Sequence, residues 1–361
     1  MFRGTALAAH RPPAVSAPGE RAGLSRRPFG LVALAAALVA LSGCGSEEQS
    51  PLHPESHPAH LVERLWWWML GGAGIVFAGS VAFLVIAYLR RNRSGLPVLG
   101  ERESLATTLV VIFGIVIPVV TLAVLFAFSN VYVITRTDAP SAGSTQMRIE
   151  VVGHQWWWEV RYPGTDAVTA NELHIPTGTP VDLVVHTADV IHSFWVPRLN
   201  RKIDTIPGQD NHILLYAEKP GRYRGQCSEY CGLQHAHMGM YVFAQPPAQF
   251  RAWLANEAAA APAPQSPLAQ RGEDVFLSNA CADCHTIRGT SAQGKIGPDL
   301  THVAERTTLA ALAIPNRPAD LARWIRDPQH FKPGTKMPGL DLSDADFAAL
   351  AQYLQGLGFG Q

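Results

Sequence analysis

Residues 65–89 and 105–131 form two apolar stretches, each longer than the roughly 20 residues that cross a bilayer as a helix. A chain that carries them must bury both in a large core or place them in lipid. Arg90-Arg91-Asn92-Arg93 lies between them, and loops rich in Arg and Lys stay on the cytoplasmic side. The pair is therefore read as a transmembrane hairpin over 63–132, with both ends and everything that follows outside. Trp66, Trp67 and Trp68 stand where aromatic residues line a membrane interface. Composition agrees, with 47% of residues hydrophobic and 16% charged. The 29 basic residues balance 29 acidic ones, which argues against a nucleic-acid partner.

The five cysteines fall into three chemical settings, and none is left for a disulfide. Residues 1–43 read as an export signal: Arg21, Arg26 and Arg27 precede a short apolar run over 29–41. The run ends in Leu41-Ser42-Gly43-Cys44, which resembles a bacterial lipobox and implies lipidation of Cys44; an ordinary signal peptide with a Cys at its cleavage site is the alternative. Residues 44–62 are expected to be a polar tether. Its His53, His57 and His60 sit among prolines, a setting that favours a solvated linker over a metal site.

From about residue 133 to 257 the pattern changes to short alternating segments. Met147, Ile149 and Val151 alternate with polar residues, as do Val181, Leu183 and Val185, and Tyr162-Pro163-Gly164 and Thr177-Gly178 supply turns. An all-β antiparallel sandwich or barrel is expected. Within it the run from Cys227 to Met238 (CSEYCGLQHAHM), together with a distant His192, offers two thiols, imidazoles and a thioether. Such soft ligands favour copper, and the methionine argues against zinc. Two cysteines four residues apart on a loop can point both sulfurs into one pocket, where bridging thiolates would let two coppers share an electron. A buried or disulfide-bonded Cys pair is the alternative.

A Pro/Ala segment over 258–267 reads as a semi-rigid spacer. Over 268–361, Cys281-Ala282-Asp283-Cys284-His285 is the attachment sequence of a c-type haem: the thiols add to the haem and His285 follows as an iron ligand. Thioredoxin-like and zinc readings lack a βαβ pattern and a second Cys pair, respectively. The other axial ligand is expected to be Met337, with His330 as the remaining downstream candidate. Phe347, Leu350, Tyr353 and Leu354 recur at helical spacing in the last helix, expected over 343–356.

Residues from about 60 to 255 resemble subunit II of the haem–copper cytochrome c oxidases. The resemblance runs through Gly153-His154-Gln155-Trp156-Trp157-Trp158, the 189–193 segment around His192, Lys202 to Gly208, and Cys227 to Met238. It implies a two-helix hairpin followed by a cupredoxin-like domain. It implies also that His192, Cys227, Cys231, His235 and Met238 ligate a dinuclear CuA centre, with the Glu229 carbonyl as a further ligand. His237 is a competing imidazole, but its spacing favours His235. The Glu229 side chain would reach a magnesium shared with subunit I, and Trp156 would be the point of electron entry. Glu103 would match an acidic residue near a proton-path mouth in the partner, although an acid at a helix start is also favoured by the helix dipole. The last 95 or so residues resemble class I cytochromes c, all-α, with Gly297-Pro298 beneath the haem edge.

The whole is read as an oxidase subunit II with a fused cytochrome c. It would sit in the bacterial inner membrane with two spans and both soluble domains periplasmic. Its partners would be subunit I, subunit III, and a donor that is a cytochrome c or a membrane reductase. Electrons would pass from haem c to CuA and on to subunit I, which reduces oxygen and pumps protons. Rival readings are a CuA-bearing nitric oxide reductase subunit and a non-catalytic copper-delivery lipoprotein. Nitrous oxide reductase would need a propeller domain that has no counterpart here, and a quinol oxidase subunit would lack the copper ligands.

Overall fold

The computed structural model describes residues 47–91, 103–140, 145 and 147–359. The export signal, Cys44, Asn92, Arg93 and the Glu103 side chain lie outside the described residues.

Helix His57–Arg90 begins well before the apolar stretch, because its start is written in cap chemistry. Ser56 accepts a hydrogen bond from the Ala59 N–H at 3.1 Å, and Pro58 occupies the first turn, where its missing N–H costs nothing. The second long helix, Ser104–Thr137, contains π-helical segments at Ile112–Val116 and Ser129–Ile134. The first lies just ahead of Pro118, which cannot donate to the preceding turn, so the ladder is forced to re-pair locally. The apolar windows of both helices are 0% buried within the protein. Surface of that kind is tolerated in lipid and not in water, so the two helices fit a membrane-anchored subunit.

Residues ahead of the first span are not a free tether. Glu48 pairs with Arg222 at 3.2 Å, Gln49 bonds Gln226 at 3.1 Å, and Glu55 pairs with Arg198 at 3.0 Å. The backbone joins in, with Glu55 N–H donating to the Arg198 carbonyl and Glu218 N–H to the Glu55 carbonyl. Acidic side chains here meet an Arg-rich strand, a match that composition alone could not reveal.

Ten strands make the β-domain: β1 (Arg148–His154), β2 (Trp157–Arg161), β3 (Val168–Ala170), β4 (Glu172–Pro176), β5 (Val181–Thr187), β6 (His192–Trp195), β7 (Ile203–Thr205), β8 (Asn211–Leu215), β9 (Gly221–Cys227) and β10 (Gly239–Gln245). They form two five-stranded sheets, ordered β3-β2-β1-β5-β8 and β4-β10-β9-β6-β7. The expected antiparallel pattern is corrected in two places: β1 pairs with β5, and β4 with β10, in parallel. In each case the partners are far apart in sequence, so the crossing is set by topology and leaves no mark on local alternation. Inward residues such as Ile149, Val151, Leu183, Val185 and the fully buried Trp158 fill the space between the sheets. Helix Pro247–Glu257 adds Phe250 to the same core.

A second core belongs to the C-terminal helical part. Helices Pro267–Ser278, Pro318–Arg326 and Asp344–Gln355 bury Phe276, Leu321, Ile325, Phe347, Leu350 and Tyr353 together. Ser266 and Ser343 cap the first and last of these at 3.1 Å each. The spacer that was expected to be semi-rigid is fastened: Ala261 N–H donates to the Arg288 carbonyl at 2.9 Å, and His302 Nε2 lies 3.1 Å from the Ala259 carbonyl.

Gly272 is where the first and last of these helices cross, and a Cβ there would stand 2.1 Å from the Ala349 carbonyl oxygen. Gly272→Ala gains about 0.5–1 kcal/mol of helix propensity but forces overpacking that costs about 1–3 kcal/mol. A net loss of stability is expected in denaturant unfolding followed at the haem absorbance; a stabilised variant would refute the close crossing.

Candidate metal centre and haem cleft

Three elements bring the copper-ligand candidates together. β6 delivers His192, the end of β9 delivers Cys227, and the loop before β10 carries Cys231, His235 and Met238. His192 Nδ1 and the two sulfurs lie within 4.8 Å of one another, all buried. The sulfurs are 3.7 Å apart, far beyond the roughly 2.05 Å of a disulfide. Cys231 Sγ is 3.6 Å from His235 Nδ1 and 3.8 Å from Met238 Sδ, while Cys227 Sγ is 3.2 Å from the Glu229 carbonyl. His237 does not join them: it is exposed and faces Gln234 at 2.8 Å, so geometry separates the two imidazoles. The Glu229 carboxylate points outward, 46% exposed and 3.9 Å from Lys202.

Electrostatics suit a soft cation. The Cys231 thiol beside it, more than burial opposes, drives Cys227 far below the ordinary thiol range, while Cys231 is pushed up. His192 Nε2 bonds Asp189 at 2.8 Å, which turns Nδ1 toward Cys227. Burial alone would raise the Asp189 carboxyl; hydrogen bonds from His192 and the Gln155 and Val190 N–H groups outweigh it and hold the pKa at about 2. Two thiols, two imidazoles, a thioether and a carbonyl with no competing cation among the ligands fit copper.

An apolar cleft in the helical part is lined by Cys281, Cys284, His285 and Met337, with Leu321, Trp324 and Leu350 among its walls. His285 Nδ1 donates to the Pro298 carbonyl at 2.7 Å, and burial lowers its pKa, so a neutral ring keeps its Nε2 lone pair free for iron. Gly297 is required at the ring face, since a Cβ would stand 2.4 Å from His285 Cε1. His330 is exposed against Phe331 and does not line the cleft, which leaves Met337 as the opposing ligand candidate. The buried Arg306 lines the cleft with its Nε unpartnered, a donor suited to a haem carboxylate. The cleft fits a covalent haem.

Cleft and pocket share a wall. Trp156, 9% exposed, lines the cleft with Gln155 and Trp157, and its indole N–H donates to the Cys231 carbonyl at 2.9 Å. Alternation along the strand gives its neighbours other tasks: Trp157 stacks on His154 and Trp158 packs edge-on to His192. Lys336, next to Met337, reaches Asp189 at 3.7 Å. Lys332 donates to the carbonyls of Trp156, His237 and Ala310, and burial pushes its pKa down to about 7. Sequence reasoning missed Lys332, Gln155 and Asp189 as functional positions; Asp189 alone had a cue, three residues before His192.

A soft-donor pocket backed onto a haem cleft, on a two-helix anchor, defines a membrane-bound electron-transport protein. The model of the cytochrome c oxidase subunit II periplasmic domain matches residues 167–244, and that of cytochrome c matches 269–358. Cytochrome c oxidase subunit 2 of Alkalihalophilus pseudofirmus is 35% identical over 324 residues, 88% of this chain and 93% of that one. The Bacillus subtilis protein of the same name is 29% identical over 348 residues, 91% and 97% of the two chains. The chain belongs to the cytochrome c oxidase subunit II family and carries a cytochrome c domain, and the two domains imply CuA copper and haem c. The solved periplasmic domain of subunit II of cytochrome oxidase (CoxB) of Bradyrhizobium japonicum is also similar, at 30% identity with a TM-score of 0.31, covering 32% of this chain and 98% of that one.

Asp189→Asn keeps the shape but weakens the hold on the His192 ring. Loss of such a supporting carboxylate costs about 10–100-fold in metal affinity, to be read by chelator competition for copper. Unchanged retention would show that Asp189 does not orient the ligand.

Proposed function

We propose that this chain is the electron-entry subunit of a haem–copper oxidase in the bacterial inner membrane, with both soluble domains periplasmic. When bound, haem c and the dinuclear CuA centre supply one-electron redox chemistry, taking electrons from a cytochrome c or membrane reductase toward haem in subunit I, where oxygen is reduced to water with proton pumping. His192, Cys227, Cys231, His235, Met238 and the Glu229 carbonyl hold the copper pair; Cys281, Cys284, His285 and Met337 hold the haem. The Glu229 carboxylate reaches toward a magnesium shared with subunit I, and subunit III completes the complex. Glu103, at the start of the second span, stands near a proton-path mouth in subunit I.

One observation carries this reading: Trp156 lines the haem cleft while its indole donates to the carbonyl of Cys231. A single residue thus bounds both sites, and burial of Cys227, Cys231, Met238 and His192 keeps water from the donor set. A thioether on each site tunes more than it holds, since Met is a weak ligand.

Replacing Cys281 and Cys284 with Ala in the assembled complex removes the haem and leaves the copper donors alone. Reduction of copper by the physiological donor is expected to slow by orders of magnitude, while reduction by a small mediator hardly changes. Unaltered donor-driven turnover would show direct entry at copper. Cys227→Ser and Cys231→Ser are each expected to abolish the paired copper signal, whereas Met238→Leu retains copper at a shifted potential; zinc at full occupancy in copper-supplemented cells would end the copper assignment.

A further inference from the structure

Lys332 is 3% exposed, and its ammonium has no carboxylate within ion-pair distance among the described residues. Burying a charge without a counter-charge costs several kcal/mol unless dipoles replace water. Three do so here: the carbonyls of Trp156 at 2.7 Å, His237 at 2.9 Å and Ala310 at 3.0 Å.

The identity of those carbonyls is informative. Trp156 walls the haem cleft and bonds Cys231. His237 lies between the copper-ligand candidates His235 and Met238. Ala310 lines the cleft within a left-handed run, Ala310 to Leu312, and the next carbonyl, Ala311, accepts from Gly239 N–H at 3.3 Å. The Lys332 backbone opens the loop that ends at Met337. Gln329 Nε2 braces that loop by donating to the Thr335 and Met337 carbonyls, and Gln234 Nε2 from the copper loop donates to the Pro333 carbonyl at 2.8 Å. A surface lysine would form none of this; a lysine that only held the domain together would not need to meet both ligand loops.

We propose that Lys332 is a positioning residue for electron transfer between the domains, its ammonium pinning the Met337 loop to the Cys231–Met238 loop through the carbonyls of Trp156 and His237. The proposal rests on the haem-to-copper direction given above. It makes the haem domain a docked part, held in one pose, where a tether alone would leave it free to swing.

The test uses the full chain in the assembled oxidase, with the haem reduced photochemically and arrival of the electron at copper followed by absorbance. Lys332→Met is expected to keep haem content, copper content and both spectra, and to slow haem-to-copper transfer by about tenfold or more, the scale of effect that a displacement near 1 Å produces. Reduction of copper by a small mediator stays unchanged, and Lys332→Arg, which restores the charge and donors, recovers part of the rate. A Lys332→Met rate equal to that of the parent, with both spectra intact, overturns the proposal. Should Lys332→Met fail to fold, Gln234→Leu decides: it removes the adjoining bond to Pro333, and a rate equal to the parent's again overturns it. Absence of haem-to-copper transfer in the parent would instead sink the functional reading on which the proposal rests.

Discussion

The Cys231 carbonyl accepts two hydrogen bonds, from Gln155 Nε2 at 2.8 Å and from Trp156 Nε1 at 2.9 Å. The rest of the site depends on them. They fasten the copper loop to the β1–β2 turn, and the same two residues then form one wall of the haem cleft. Gln155 is held in its turn by its backbone N–H to Asp189, whose other oxygen meets His192. Backbone and side chain therefore close a ring from one copper ligand to another through the residues that face the haem.

The contact between the two soluble parts is polar and largely dry. Glu172 accepts from both the N–H and the hydroxyl of Thr307, at 2.7 and 2.6 Å. Burial pushes Glu257 up to about 8, partly opposed by Arg306 and Arg288, and Arg288 donates to carbonyls of Asp166, Glu257 and Ala259. A greasy contact of the same size would tolerate sliding, because apolar attraction has no direction. Buried donors and acceptors permit few poses, since each displaced pair leaves a desolvated group unmet. The arrangement exchanges stability for a defined orientation.

The legible features were those whose chemistry is tied to short spacing. Cys281, Cys284 and His285 are adjacent in sequence because a haem edge is small, and Cys227 to Met238 fit one loop because a metal pocket is small. Hydropathy over tens of residues announced the spans for the same local reason. Hidden were the features made by distant pairs. Nothing about Lys332 distinguishes it, within Phe331-Lys332-Pro333-Gly334, from a solvated lysine in a turn. The parallel pairing of β1 with β5 leaves the alternation of both strands unaltered. Glu48, Glu55 and their arginine partners look like ordinary linker and strand residues until the fold brings them together.

The first span has one more property that follows from its beginning. Ser56 is fully buried, its hydroxyl donates to the Leu199 carbonyl, and it caps the helix that descends into the bilayer. At the other end of the hairpin, Arg201 meets Thr137 Oγ1 at 3.0 Å, and Asn200 Nδ2 meets the Thr137 carbonyl at 3.1 Å. The β-domain is thus mounted on two stiff posts with no slack joint between them. Such a mount is a ruler and a protractor at once: each residue added to a post raises the metal pocket by about 1.5 Å and turns it by about 100° around the axis. The height of the pocket above the lipid, and the side it presents to a neighbouring subunit, are therefore counted out in residues.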